Sequence, residues 1–160
     1  MPQLTPMPLT AAEKYRAECV RWMTDFGPNL FVTFAINRWV SMDEAQRTFE
    51  EFHQRLDRKL LGRSYFDRPS DRTVYIAAIE KPDTNIHIHA LFRMTTEQAA
   101  RFGEIAPDIW TKLIAAGNLD IQPVRHTEGA ARYVTKALRP ETSDRLLTPP
   151  HMETTTKIAA

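Results

Sequence analysis

Two short runs, residues 73–80 (TVYIAAIE) and 86–93 (IHIHALFR), are rich in β-branched and aromatic side chains and are joined by Lys81-Pro82-Asp83-Thr84-Asn85. Pro, Asp and Asn in so short a connection form a turn, so the two runs read as an antiparallel hairpin. Strand side chains alternate between faces, and a slip of one residue would exchange the whole set. The register that satisfies both faces sets Glu80 opposite His87 and Ala78 opposite His89 on one side. On the other it sets Ile79 against Ile88, Ala77 against Ala90 and Tyr75 against Phe92. The second set is an apolar surface for helices to cover. The first gathers a carboxylate and two imidazoles, with a small alanine leaving room beside them.

The rest of the chain supplies the covering elements. After a leader marked by Pro2, Pro6 and Pro8, Thr10-Ala11-Ala12-Glu13 reads as a capping box that opens a helix over residues 10–27, ending near Gly27-Pro28. Residues 30–37 (LFVTFAIN) form a strand with Val32, Phe34 and Ile36 on one face and Thr33, Ala35 and Asn37 on the other. Ser41-Met42-Asp43-Glu44 is a second capping box, and Ala45, Phe49, Phe52, Leu56 and Leu60 follow at helical spacing. Residues 62–72 are a polar loop with several arginines; they could touch DNA or lie solvated. Thr95-Thr96-Glu97-Gln98 starts a helical segment that Pro107 to Ala116 continues or restarts, closing at Gly117. Pro123 confines a strand over residues 119–125 to a sheet edge. Residues 127–138 form a final helix, stopped by Pro140.

The order β-α-β-β-α-β predicts an α+β fold of the RRM or ferredoxin-like kind. It would have an antiparallel sheet of four or five strands, helices on one face and the functional site on the other. One domain over residues 1–147 and a loose tail over 148–160 follow from this reading. The three tryptophans (Trp22, Trp39, Trp110) and the phenylalanines are assigned to the core. His53, within a charged helical stretch, is assigned to solvent, and His126 to the cap region of the final helix.

Composition excludes more than it selects. No apolar run approaches a membrane span, the first residues do not resemble a secretory signal, and one cysteine, Cys19, rules out an internal disulfide framework. Cytoplasm is the expected location. The formal charge of +1 argues against a strongly basic duplex binder, so any attraction for nucleic acid has to be local. No P-loop, GxSxG elbow or HExxH helix is present.

Two imidazoles and a carboxylate converging from adjacent strands suit a divalent ion with open positions, Mn²⁺ or Mg²⁺ with waters, and Zn²⁺ or Ni²⁺ in vitro. The plain alternative is a pair of half-exposed strand histidines with Glu80 facing water; Asp83 and Asn85 are fallback ligands. Tyr133 and Lys136 lie three apart, on neighbouring positions of one helix side. A tyrosine ring resting on a lysine stem is common, but Gly129-Ala130-Ala131 lets this helix approach another surface closely. Arg132, Lys136 and Arg139 form a basic stripe suited to phosphates. A free phenol, with a pKa near ~10, needs a cation beside it to act as a nucleophile.

His87-Ile88-His89, followed by Tyr133-Val134-Thr135-Lys136, resembles the motifs of the HUH endonucleases, specifically the rolling-circle replication initiators, in which the histidines precede the tyrosine. Phe31-Val32-Thr33-Phe34 is similar to their first motif, and the matched positions span about residues 31 to 138. The resemblance implies that His87, His89 and Glu80 hold the metal. Tyr133 would attack a phosphodiester of single-stranded or hairpin-extruded origin DNA, leaving a 5′-phosphotyrosine and a free 3′-OH. Lys136 would orient the phosphate or assist proton transfer. Thr33, Arg132 and Arg139 would touch the DNA, and a separate helicase would unwind it.

Rival readings are a single-tyrosine transposase of the same superfamily and a noncatalytic nucleic-acid-binding module with an open RRM-like sheet. A two-histidine phosphoesterase ranks last, because it needs two separated His-x-Ser/Thr motifs and the sequence does not supply them.

Overall fold

The computed structural model describes residues 5–152; the first residues of the leader, Pro2 included, and the tail beyond Met152 lie outside the described residues. The chain is α+β. Helix α1 (Ala11–Phe26) precedes strand β1 (Leu30–Ala35), helix α2 (Met42–Leu61) and the hairpin β2 (Val74–Glu80) and β3 (His87–Arg93). Helix α3 (Thr96–Leu113), strand β4 (Asn118–Pro123), helix α4 (Thr127–Thr135) and a two-residue strand β5 (Leu146–Leu147) follow. The five strands form one antiparallel sheet in the order β4-β1-β3-β2-β5, consistent with a ferredoxin-like arrangement extended by β5.

The hairpin adopts the register that its alternation demands, with Glu80 opposite His87, Ala78 opposite His89 and Tyr75 opposite Phe92. Pro123 ends β4 on the outer edge of the sheet, where a missing N–H costs no ladder bond. Helix boundaries follow their caps. Thr10 and Glu13 satisfy each other's backbone N–H groups at 3.2 and 2.7 Å, and Gly27 closes α1 in the left-handed region at φ 69°. Thr95 and Gln98 do the same for α3, which runs unbroken through Pro107. Only half of the box expected at α2 forms. Ser41 accepts from the Glu44 N–H, while the Glu44 carboxylate turns to Arg38 at 2.9 Å.

One face of the sheet is the main core. Phe34 lies fully buried at its centre, with Phe49, Phe52 and Trp110 edge-on around it at ring separations of 4.9–5.1 Å. The Trp110 indole donates to the Ala35 carbonyl at 3.0 Å, tying α3 to β1. The other face is not left open. Ile76, Ala78 and Leu91 project there and are covered by Tyr15, Cys19, Val20, Met23 and Phe26 of α1 and by Ala131, Val134 and Leu138. The cause is legible in β2, whose residues 75–79 are buried without alternation, as in strands packed on both sides.

Three placements differ from expectation. Trp39 is exposed, at 76%, in the β1–α2 connection, and Phe66 is also exposed. His53 is buried rather than solvated. The chain after β5 lies against α2 up to the described end: His151 stacks on His53 with ring centroids 5.6 Å apart.

Phe34→Ala removes the ring on which three others converge. The expected cost is about 3–5 kcal/mol of folding free energy, read as a lower urea midpoint with an unchanged slope.

Candidate functional site

Glu80 ends β2 on the face that also carries His87 and His89, and α4 crosses that face. The Glu80 carboxylate holds two partners at once. One oxygen contacts His89 Nε2, and the other lies 3.1 Å from Lys136 Nζ. His89 is fastened from its other side by Thr33, whose Oγ1 lies 3.2 Å from Nδ1. Thr33, expected to contact DNA, lies against the ring of His89. With Nδ1 paired to the Thr33 hydroxyl, Nε2 is the nitrogen directed at the carboxylate; an Nδ1–H donating to that hydroxyl is the arrangement by which an outer partner aims a metal-ligating histidine.

Tyr133 comes from the last turn of α4. Its ring meets His89 edge-on at 5.3 Å and Phe31 edge-on at 5.6 Å, while Lys136 Nζ sits 4.1 Å from its centroid. The residue remains 47% exposed, so the phenol is neither buried in the interior nor turned to the far side. His87 stacks parallel to His89 with centroids 6.4 Å apart. The site therefore brings together Glu80, His87, His89, Tyr133 and Lys136, and adds Phe31. Phe31 was assigned to the core; plain strand alternation puts it on the face of Thr33 and Ala35, opposite Leu91 and Gln122 and beside His89.

The geometry of α4 depends on its first turn. His126 is the N-cap and its Nδ1 accepts from the Gly129 N–H at 2.9 Å, the cap-region role expected of it. A Cβ at Gly129 would stand 2.8 Å from that nitrogen, so the absence of a side chain makes the cap possible. Ala131 is fully buried against α1 and the sheet, which lets α4 lie close. Of the basic stripe, Arg132 is engaged by Glu128 at 3.1 Å and Lys136 by Glu80, while Arg139 is exposed.

The charges bias one another in a consistent direction. Burial pushes the Glu80 carboxyl up, but the hydrogen bonds from His89 and Lys136 together outweigh it and hold the group below its usual range. Burial holds His89 below its usual value, favouring the neutral imidazole that a metal requires. The hydrogen bond to Glu80 raises Lys136, so its amine stays an ammonium at neutral pH.

A second cluster lies beneath α2. His53, Asp57 and His151 place one ligand atom each within 4.8 Å of one another, and this trio could hold a metal ion; the hairpin set is not drawn in to that separation. The trio is already heavily bonded. Asp57, fully buried, accepts from Arg72 Nε at 2.8 Å, from the Thr73 N–H at 3.2 Å and from Thr73 Oγ1 at 2.6 Å. His53 and His151 Nε2 both lie 3.0 Å from the Thr73 carbonyl. The i, i+4 spacing of His53 and Asp57 is visible in the sequence; their meeting with His151, far along the chain, is not.

Comparison with protein-family models, with curated proteins and with solved structures gives no match to this chain.

The buried trio gives folding a pH dependence of known sign. Burial lowers His53 to about 4, helped by Arg72 and opposed by Asp57, and burial also lowers His151. The unfolded chain takes up these protons first, so stability is lost as pH falls from about 6.5 towards 4 and levels off below. The expected loss is roughly 3 kcal/mol for His53. Urea midpoints measured across this range check it, and His53→Gln should flatten the fall.

Proposed function

We propose that this chain is a metal-dependent nicking and joining enzyme for single-stranded DNA of the HUH endonuclease type, acting through Tyr133 as the initiator of rolling-circle replication. The observation that carries the reading is the contact of the half-exposed Tyr133 ring with His89 on one side and Lys136 on the other, above the Glu80 carboxylate. Neither a core tyrosine nor a tyrosine resting on a lysine stem needs the histidine and carboxylate beneath it.

In the proposed reaction the Tyr133 phenol oxygen bonds to phosphorus and the bond to the 3′ oxygen breaks. The phenol proton is released and the departing 3′ oxygen ends as a hydroxyl, so the proton count is unchanged. The phosphotyrosine keeps the energy of the broken linkage, and a 3′-OH can reverse the step. Lys136 remains charged, because Glu80 stabilises its ammonium, and so favours negative charge on the phenol and the phosphoryl oxygens rather than acting as a base. Phe31 limits where the phenol can swing. The donors fit a divalent ion by their chemistry: two imidazoles and a carboxylate, with the Nε2-to-carboxylate contact at the point where a cation would replace a proton. An ion of the Mn²⁺ or Mg²⁺ class held by His87, His89 and Glu80 would supply a Lewis acid for phosphate oxygens.

The substrate of this reading is a single-stranded or hairpin-extruded origin, with unwinding left to a helicase partner. No helix among the described residues is long and apolar enough to cross a membrane, and the single cysteine is in keeping with a cytoplasmic protein. A noncatalytic RRM-like module would need an open sheet face, and α1 and α4 lie on it.

Incubation with a randomised single-stranded oligonucleotide pool and Mn²⁺ should give a covalent adduct, seen as a retarded band on a denaturing gel. Tyr133→Phe should give none. An adduct that survives this substitution, or none with the wild type, sinks the assignment. In a separate titration followed by NMR, Mn²⁺ should broaden the imidazole signals of His87 and His89 first. Prior loss of the His53 and His151 signals would place the ion under α2 instead.

A further inference from the structure

Lys136 belongs both to the Tyr133 centre and to the lining of the next groove. There α1 and α4 enclose a groove of about 410 Å³ lined by Arg16, Ala17, Val20, Arg132, Thr135 and Lys136. Two of its three cations are spoken for. Lys136 lies on Glu80 and Arg132 on Glu128. Arg16 has no acidic partner in an ion pair among the described residues, and its Nε is buried without a hydrogen-bond partner there. Glu13, on the same wall, has its carboxylate fastened to the Thr10 N–H at 2.7 Å, in the cap of α1.

The guanidinium of Arg16 lines the groove without a hydrogen bond or ion pair among the described residues, and its terminal nitrogens, unlike the buried Nε, are open to an external acceptor. Guanidinium groups match phosphate oxygens with paired donors, and those of the substrate backbone are the acceptors next in line beyond the scissile one. The groove floor of Ala17 and Val20 is apolar, which leaves sugars undisturbed and offers no competing acceptor. We infer that Arg16 binds a backbone phosphate of single-stranded DNA, and that the α1–α4 groove carries the strand past Lys136 to Tyr133. This rests on the nicking function proposed above, and it assigns to α1 a role in substrate binding besides covering the sheet.

The test uses the full chain in a Tyr133→Phe background, so that binding is read without covalent capture. Affinity for a dye-labelled random single-stranded pool is measured by anisotropy between about 50 and 200 mM salt, where each phosphate contact on a single strand contributes a slope of about −0.7 in log K against log salt. Arg16→Gln should weaken binding and reduce the slope by about 0.7, and Arg16→Lys should restore the slope. Binding with an unchanged slope in Arg16→Gln overturns the inference and leaves the Tyr133 chemistry standing. No strand binding by the parent, together with no adduct from the wild type, overturns both. A second measurement needs no variant. In the wild type the bound strand should protect Arg16 from phenylglyoxal, read by peptide mass, and equal labelling with and without the strand would count against the assignment.

Discussion

The Glu80 carboxylate is the point on which the site hangs. It closes β2, contacts His89 across the hairpin and holds Lys136 of the last helical turn, joining sheet to helix through one side chain. Removing it would leave His89 without its Nε2 partner and Lys136 without its counter-charge. It would also unfasten the end of α4 that carries Tyr133. Because the carboxylate is held ionised by the very groups it positions, orientation and electrostatics here are one interaction rather than two.

Weak net charge and a DNA substrate are compatible on this arrangement. Some charges on the described surface are held in local pairs, such as Arg55 with Glu51 and Lys112 with Asp108, while acidic and basic side chains nearly balance over the whole chain. Near the tyrosine helix, Arg16 and Arg139 stand outside any ion pair among the described residues, where a polyanion could meet them. A protein built so would depend on a few phosphate contacts at one place rather than on a broad basic field.

Much of this was readable before any coordinates, and the reasons are physical. The hairpin register followed from period-two alternation and a short turn, because a slip would have put His87 and His89 into the core. Tyr133 and Lys136 followed from helical spacing. The covering of the second face was missed, although Ile76 and Leu91 on that face and Tyr15, Cys19, Val20, Met23 and Phe26 along α1 carried the signal. His53 was misplaced because its helical neighbours are charged; its burial is decided by Asp57, Arg72, Thr73 and His151, of which only Asp57 is local. Trp39 was assigned by residue type alone, and type does not say where a connection turns outward.

The short helix that bears the tyrosine is only nine residues long, too few to be stable on its own account. Its start is set by an imidazole that sits where a methyl group at residue 129 would have to go. Alanine at that position would push the exposed imidazole off the Gly129 N–H, trading a helix cap for helix propensity in the very turn that begins the element aiming the phenol.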